Sequence, residues 1–153
     1  MKKMKVFAFW IVLMALCLVV GFALPELTLS SEKSEEESSS KYGEVEKRWG
    51  IKPLMVRLTG AEHFLDFRYL IVDAEKAKLV TNRKKKAFLK DQETGEIFNV
   101  TMTKMGAMRG NTADPKPGKQ YFILFTNAEK SIKRGQKVTV VIDECRVEDL
   151  KVE

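Results

Sequence analysis

The chain has 153 residues, with 27 Lys and Arg against 21 Asp and Glu, one histidine and two cysteines. That length excludes two full domains with separate cores, and with Cys17 in an apolar N-terminal run and Cys145 far downstream it excludes a disulfide framework within the domain. Seven charges of each sign lie in the first fifty residues, so the whole +6 excess belongs to the rest of the chain, where it favours acidic partners or anionic surfaces without singling one out.

Lys2, Lys3 and Lys5 precede Val6–Leu24, nineteen residues without a charge. As a helix this run is about 28 Å long, close to the hydrocarbon thickness of a bilayer. The lysines before it and the acidic tract after it predict a cytoplasmic N-terminus and a domain on the extracytoplasmic side. Residues 1–24 therefore read as a signal-anchor or a signal peptide. Gly21-Phe22-Ala23 offers small residues for cleavage after Ala23, which would leave a periplasmic or secreted product. The length of the run and its lack of a polar end favour an uncleaved, single-pass anchor in the cytoplasmic membrane. Leu16 before Cys17 is too large for a lipoprotein site.

Residues 25–48 mix serines with Glu32, Glu35, Glu36 and Glu37 and hold few large apolar side chains, so they read as a disordered tether. Residues 49–153 are the foldable domain. Its first predicted strand is Leu54–Thr59, with Pro53 where a missing donor is tolerable. The second is Phe64–Val72, in which Phe67, Tyr69 and Ile71 alternate with Asp66 and Arg68. Asp73–Leu79 suits a helical turn or a crossover. Ala87–Asp91 and Glu96–Met102 predict a hairpin, with Gly95 supplying positive φ. Tyr121–Phe125 is continuously apolar and predicts a central strand covered on both faces. Val138–Ile142 follows. In Glu144–Glu153 the parity of Cys145 and Val147 differs from that of Leu150 and Val152, which predicts a bulge near Glu148-Asp149. The class is all-β: an antiparallel sandwich of about seven strands, immunoglobulin-like in architecture, preceded by one apolar helix.

The longest predicted connection is Thr103–Gln120. Loops of that length in a compact domain are often functional, so Met105, Met108 and Arg109 are candidates for partner binding. Met102, Met105 and Met108 also form a Met-x-x-Met-x-x-Met run. Thioethers, with the imidazole of His63 and the thiol of Cys145, suit copper(I). In this the chain resembles exported copper-handling β-sandwich proteins, although it lacks their paired His-Met motifs, and methionines also serve as core filler. Arg83-Lys84-Lys85-Lys86 is the basic cluster, suited to a solvated turn or to anionic headgroups; without interleaved aromatics it does not suit nucleic acid. Asn99-Val100-Thr101 matches a glycosylation acceptor by chance within a predicted strand.

A lone histidine and the lack of a Gly-x-Ser-x-Gly elbow, phosphate loop, nucleotide fingerprint or calcium loop point away from catalysis. The tail from Tyr121 to Val152, with its Tyr-Phe-Ile-Leu-Phe strand and its Lys137–Ile142 strand, resembles small exported bacterial proteins of uncharacterised function. The resemblance implies an envelope setting. Together these readings predict a non-catalytic binding or assembly module, tethered to the membrane by its N-terminal helix and meeting an envelope protein partner. The alternative is copper handling through the methionines.

Overall fold

The computed structural model describes residues 41–110 and 112–153. The apolar run and most of the Ser/Glu tract lie outside the described residues. Among those described, no helix is long and apolar enough to cross a membrane.

The first element is a helix, α1 (Gly43–Trp49), within the stretch expected to be tether. Tyr42, Val45 and Trp49 fall at i, i+3 and i+7, so one face is apolar. Trp49 is buried, and Tyr42 and Val45 pack against the core. Glu44 and Glu46 near the N-terminus and Lys47 and Arg48 near the C-terminus complement the helix dipole. Lys41 Nζ and the Tyr42 hydroxyl both donate to the Asp149 carbonyl, at 2.7 and 3.3 Å. The folded domain thus starts earlier than residue 49. Gly50 ends the helix at φ +65°, where a Cβ would stand 2.4 Å from the Asp73 carbonyl oxygen; only glycine fits there.

Strands β1 (Ile51–Thr59), β2 (Phe64–Ile71) and β7 (Gln120–Thr126) form one antiparallel sheet in the order β1-β2-β7. Strands β3 (Ala87–Asp91), β4 (Ile97–Asn99), β8 (Lys137–Ile142) and β9 (Cys145–Lys151) form another, in the order β4-β3-β8-β9. A short hairpin of β5 (Met102–Thr103) and β6 (Gly106–Ala107) stands apart. The helix α2 (Ala74–Thr81) connects β2 to β3, capped by Asp73, whose carboxylate accepts from the amides of Glu75 and Lys76. One core takes Leu65, Phe67, Tyr69, Ile71, Ile123 and Phe125 from the first sheet and Leu89, Phe98, Val138, Val140, Ile142 and Val147 from the second. Ala77 and Val80 of α2 join it.

The mostly β, antiparallel class is as expected, and so are several details. Phe67, Tyr69 and Ile71 share the inner face of β2. In the β8–β9 ladder, Val140 pairs with Val147 but Val138 pairs with Leu150, so one extra residue of β9 lies between them, and Asp149 there has φ +56°. That is the bulge required by the change of parity. Three of the strand expectations fail. β1 begins at Ile51 and takes Pro53 into its interior, where a register shift between Pro53 and Met55 absorbs the missing donor. β4 stops at Asn99. β7 is covered on one face: Ile123 and Phe125 are buried while Phe122 is exposed on the other side.

The margins of the two sheets are joined. Val152, just past β9, bridges Val56 in parallel, with Glu153 N donating to Val56 O and Leu58 N to Glu153 O, both at 2.9 Å. At the opposite margin Val100, just past β4, bridges Phe125 of β7. Main-chain pairing therefore runs in a circuit through seven strands, which leaves little open edge.

The β3–β4 turn hangs on Asp91. Its carboxylate accepts from the Thr94 hydroxyl at 2.6 Å and the Thr94 amide at 3.1 Å, and Gly95 takes φ +78°. Burial pushes the pKa of Asp91 up, but the Thr94 hydroxyl and the amides of Thr94, Glu93 and Gln92 outweigh it and leave it below the ordinary value. A depressed folded pKa means that the carboxylate stabilises the fold above the unfolded pKa, and that this contribution disappears as pH falls through the lower folded value. Urea unfolding of wild type and Asp91→Asn should therefore differ most near neutral pH and converge from about pH 4 downward. A gap independent of pH would remove the carboxylate's role.

Candidate functional site

The long connection after β4 is not a structureless loop. Having left β4, the chain lays Val100 against β7, turns through the β5–β6 hairpin, and returns to β7 at Arg109, which bridges Ile123. Three main-chain bonds fix the base: Thr101 N to Leu124 O at 2.8 Å, Leu124 N to Met108 O at 2.9 Å, and Gly110 N to Phe122 O at 2.7 Å. The Thr101 and Thr126 hydroxyls meet at 2.9 Å. At the tip, Thr103 Oγ1 donates to Gly106 O and accepts from Met105 N, so the side chain closes the turn that Gly106 enters at φ +110°.

This frame displays two methionines. Met102 is 71% exposed and Met105 93%. Met108 is half-buried. The ladder pairs Met102 with Ala107, and Met108 N donates to Thr101 O in the next rung. Partners across a ladder share a face and successive residues alternate. Met102 and Met108 accordingly point to opposite faces of the hairpin, a geometry that does not converge three sulfurs on one ion. His63 lies elsewhere, on the β1–β2 turn, with Nδ1 3.3 Å from the Ala128 carbonyl oxygen. Cys145 lies in the core, where burial pushes its thiol up to about 12 while the charge of Arg48 pulls weakly the other way. At neutral pH it is a protonated thiol, a poor nucleophile and a poor metal ligand. Among the described residues, no group of three or more His, Cys, Asp or Glu side chains could hold a metal ion.

Arg109, expected to face a partner, is 6% exposed. Its Nη1 donates to the Lys85 carbonyl at 2.9 Å and its Nη2 to the Val80 carbonyl at 2.8 Å. Val80 belongs to the last turn of α2, whose carbonyls lack partners within the helix and carry the negative end of the dipole. The guanidinium satisfies that end and ties α2, the basic turn after it and the hairpin base together. Burial lowers its pKa, with the Tyr69 phenol opposing and Arg83 adding to the shift, but a guanidinium remains charged at any physiological pH.

Sequence reading missed a further exposed apolar side chain. Ile97, 55% exposed, stands on the outer face of the second sheet beside Phe88 and Val141, over a concavity of about 480 Å³ that also takes Arg146 and Glu148. The signal was there in β3 and β4, where Phe88 and Ile97 have the parity opposite to Leu89 and Phe98.

These features define a β-rich domain with a hairpin that displays two exposed methionines, braced on one sheet margin. No protein-family model, curated protein or solved structure matches the chain.

Two outcomes follow from the buried groups. Arg109→Leu removes the donor from two carbonyls and should cost about 2–4 kcal/mol in urea unfolding, with faster amide exchange in the last turn of α2; an unchanged midpoint would refute the capping role. Cys145 should resist iodoacetamide at about pH 8 in the folded protein and react after denaturation, as peptide mass analysis of the full chain would read.

Proposed function

We propose that this protein is a non-catalytic binding or assembly module, held on the extracytoplasmic side of the membrane, that engages a protein partner through the β5–β6 hairpin. The observation that carries the reading is the display of Met102 and Met105 on a frame fixed by main-chain bonds to β7. Large apolar side chains that contribute nothing to a core and stand on a braced hairpin expose surface to water at a free-energy cost. Contact with a partner removes that cost. Methionine suits such a surface because its unbranched thioether adapts to the shape it meets.

The finer fold assignment also belongs here. The order β1-β2-β7 against β4-β3-β8-β9, with one core shared by both sheets, supports an immunoglobulin-like sandwich. Such sandwiches commonly present binding elements on their connections. The setting rests on Val6–Leu24 and the lysines before it. They support a single-pass anchor with the domain outside the cytoplasm, or, after cleavage behind Ala23, a periplasmic or secreted form.

A photoactivatable side chain at Met105 of the full-length protein tests the interaction in membranes from cells that produce it. One discrete adduct is expected from position 105. Its yield should fall about tenfold when Met102→Lys is added, with no change in folding because neither side chain packs in the core. An equal adduct from a control position on α1 such as Lys47, or none from 105, would sink the reading.

A further inference from the structure

The basic run Arg83–Lys86 does not behave as a uniform solvated turn. Asn82 caps α2 and its Oδ1 accepts from Lys84 N at 2.9 Å, while Lys85 N donates to Asn82 O at 3.1 Å. The turn is therefore tight, and it sorts its side chains. Lys85 swings to Asp143, with Nζ 2.5 Å from a carboxylate oxygen. Arg83 and Lys84 instead line a cavity of about 440 Å³ between the end of α2 and the chain at Thr112. Neither has an ion-pair partner among the described residues.

The other polar groups of this cavity are suited to an anion. Asn82 has committed its oxygen to Lys84 N, which leaves its Nδ2 as a donor. Thr112 Oγ1 accepts from Asp114 N at 3.1 Å, which leaves its O–H to donate. Thr81 Oγ1 is already turned back to the Ala77 carbonyl at 3.1 Å. Lys78, on the rim, reaches Glu75 at 2.7 Å. Glu75 and Asp114 both lie outside the lining, and no carboxylate of the described residues enters it. Between apolar stems, the charged side chains of the lining are thus all positive, and no carboxylate competes with an anion there.

A helix C-terminus ordinarily repels anions. Here two of the last carbonyls are capped from within: Arg109 holds that of Val80, and Asn82 N holds that of Leu79 at 3.3 Å. Behind this partly capped helix end lies the buried Arg109 guanidinium, whose positive charge and that of Arg83 repel.

We propose that this cavity binds a phosphate group, held by the Arg83 guanidinium and Lys84 ammonium with hydrogen bonds from Asn82 Nδ2 and the Thr112 hydroxyl. A guanidinium and an ammonium together match the double charge of a phosphate monoester, and the guanidinium fork fits its oxygens. The phosphate is carried either by a small soluble molecule or by a lipid headgroup. The site is distinct from the methionine hairpin and does not require it to bind anything.

Amide chemical shifts of the full chain in neutral maltoside micelles test the site. Inorganic phosphate, titrated at constant ionic strength against chloride, should shift the amides of Asn82, Arg83, Lys84 and Thr112 saturably, with half-saturation on the order of a millimolar. The double variant Arg83→Gln, Lys84→Gln should weaken this about tenfold. Thr112→Val should weaken it severalfold, and Lys86→Gln, outside the lining, should leave it unchanged. A second arm places the full chain in phosphatidylcholine nanodiscs with or without phosphatidate. The same shifts on phosphatidate alone assign a lipid source, and shifts with inorganic phosphate assign a soluble one. Silence in both arms overturns the proposal. So does undiminished binding by the double variant, or an equal loss in Lys86→Gln, which would mark diffuse charge rather than a site. Arg83, Lys84 and Thr112 lie outside the core, and the dispersed amide spectrum of each variant reports its fold directly.

Discussion

The free edge of β7 is the constraint from which most of this molecule follows. An edge strand presents a row of unpaired amides and carbonyls, and a long one invites pairing with another chain. Here β7 has β2 on one side, and its other side is covered by the chain that has just left β4. The crossing at Asn99–Thr101 and the return at Met108–Gly110 supply the missing partners. Everything between those two contacts has to leave the sheet and come back, and a two-stranded hairpin is the shortest way to do so with its own backbone groups paired. The exposed methionines are thus held away from the core by a requirement of the sheet.

The same crossing delivers Arg109 to the end of α2. A buried charge is costly unless its donors meet acceptors, and helix C-termini offer carbonyls in need of donors. Each feature answers the need of the other. Asn127 repeats the principle on the other side of β7. Fully buried, it donates through Nδ2 to the carbonyls of Glu62 and Ile132 and accepts from Ile132 N, which fixes the approach to β8 against the β1–β2 turn. Polar side chains in this core serve to position connections, because an unpaired connection beside an apolar core would be destabilising.

What could be read from the sequence divides along the same line. Alternation in β2, the glycine of the β3–β4 turn and the parity change before Leu150 are local patterns, and each was legible because period two and positive φ leave marks within a few residues. Helix α1 was legible in principle from Tyr42, Val45 and Trp49, but the serines and glutamates ahead of it drew it into the tether. β7 was misread because an apolar outer face looks the same in sequence as a second buried one; Phe122 is exposed and Leu124 only half-buried. Arg109 was assigned to a binding surface because no local pattern records that two carbonyls, 24 and 29 residues away, are waiting for it. The cavity was hidden for the same reason. Asn82 and Thr112 are thirty positions apart, and only the return of the chain along β7 sets them side by side.

The two surfaces proposed to bind ligands therefore share one structural cause, yet they differ in physical character. The hairpin tip is local and carries exposed methionines beside Lys104, supported by its own turn and by the edge of β7, so its side chains can adapt without disturbing the core. The cavity at α2 is charged, and its geometry depends on Arg109 holding the helix end, the basic turn and the β7 margin in register. Arg83 and Lys84 are exposed and have no ion-pair partner among the described residues, so their mutual repulsion is screened and costs little; the buried guanidinium of Arg109 adds to the positive potential an anion would meet there. The tight Asn82 turn keeps Arg83 and Lys84 together in the lining and sends Lys85 to Asp143, which sets the proposed site apart from a run of independent surface charges.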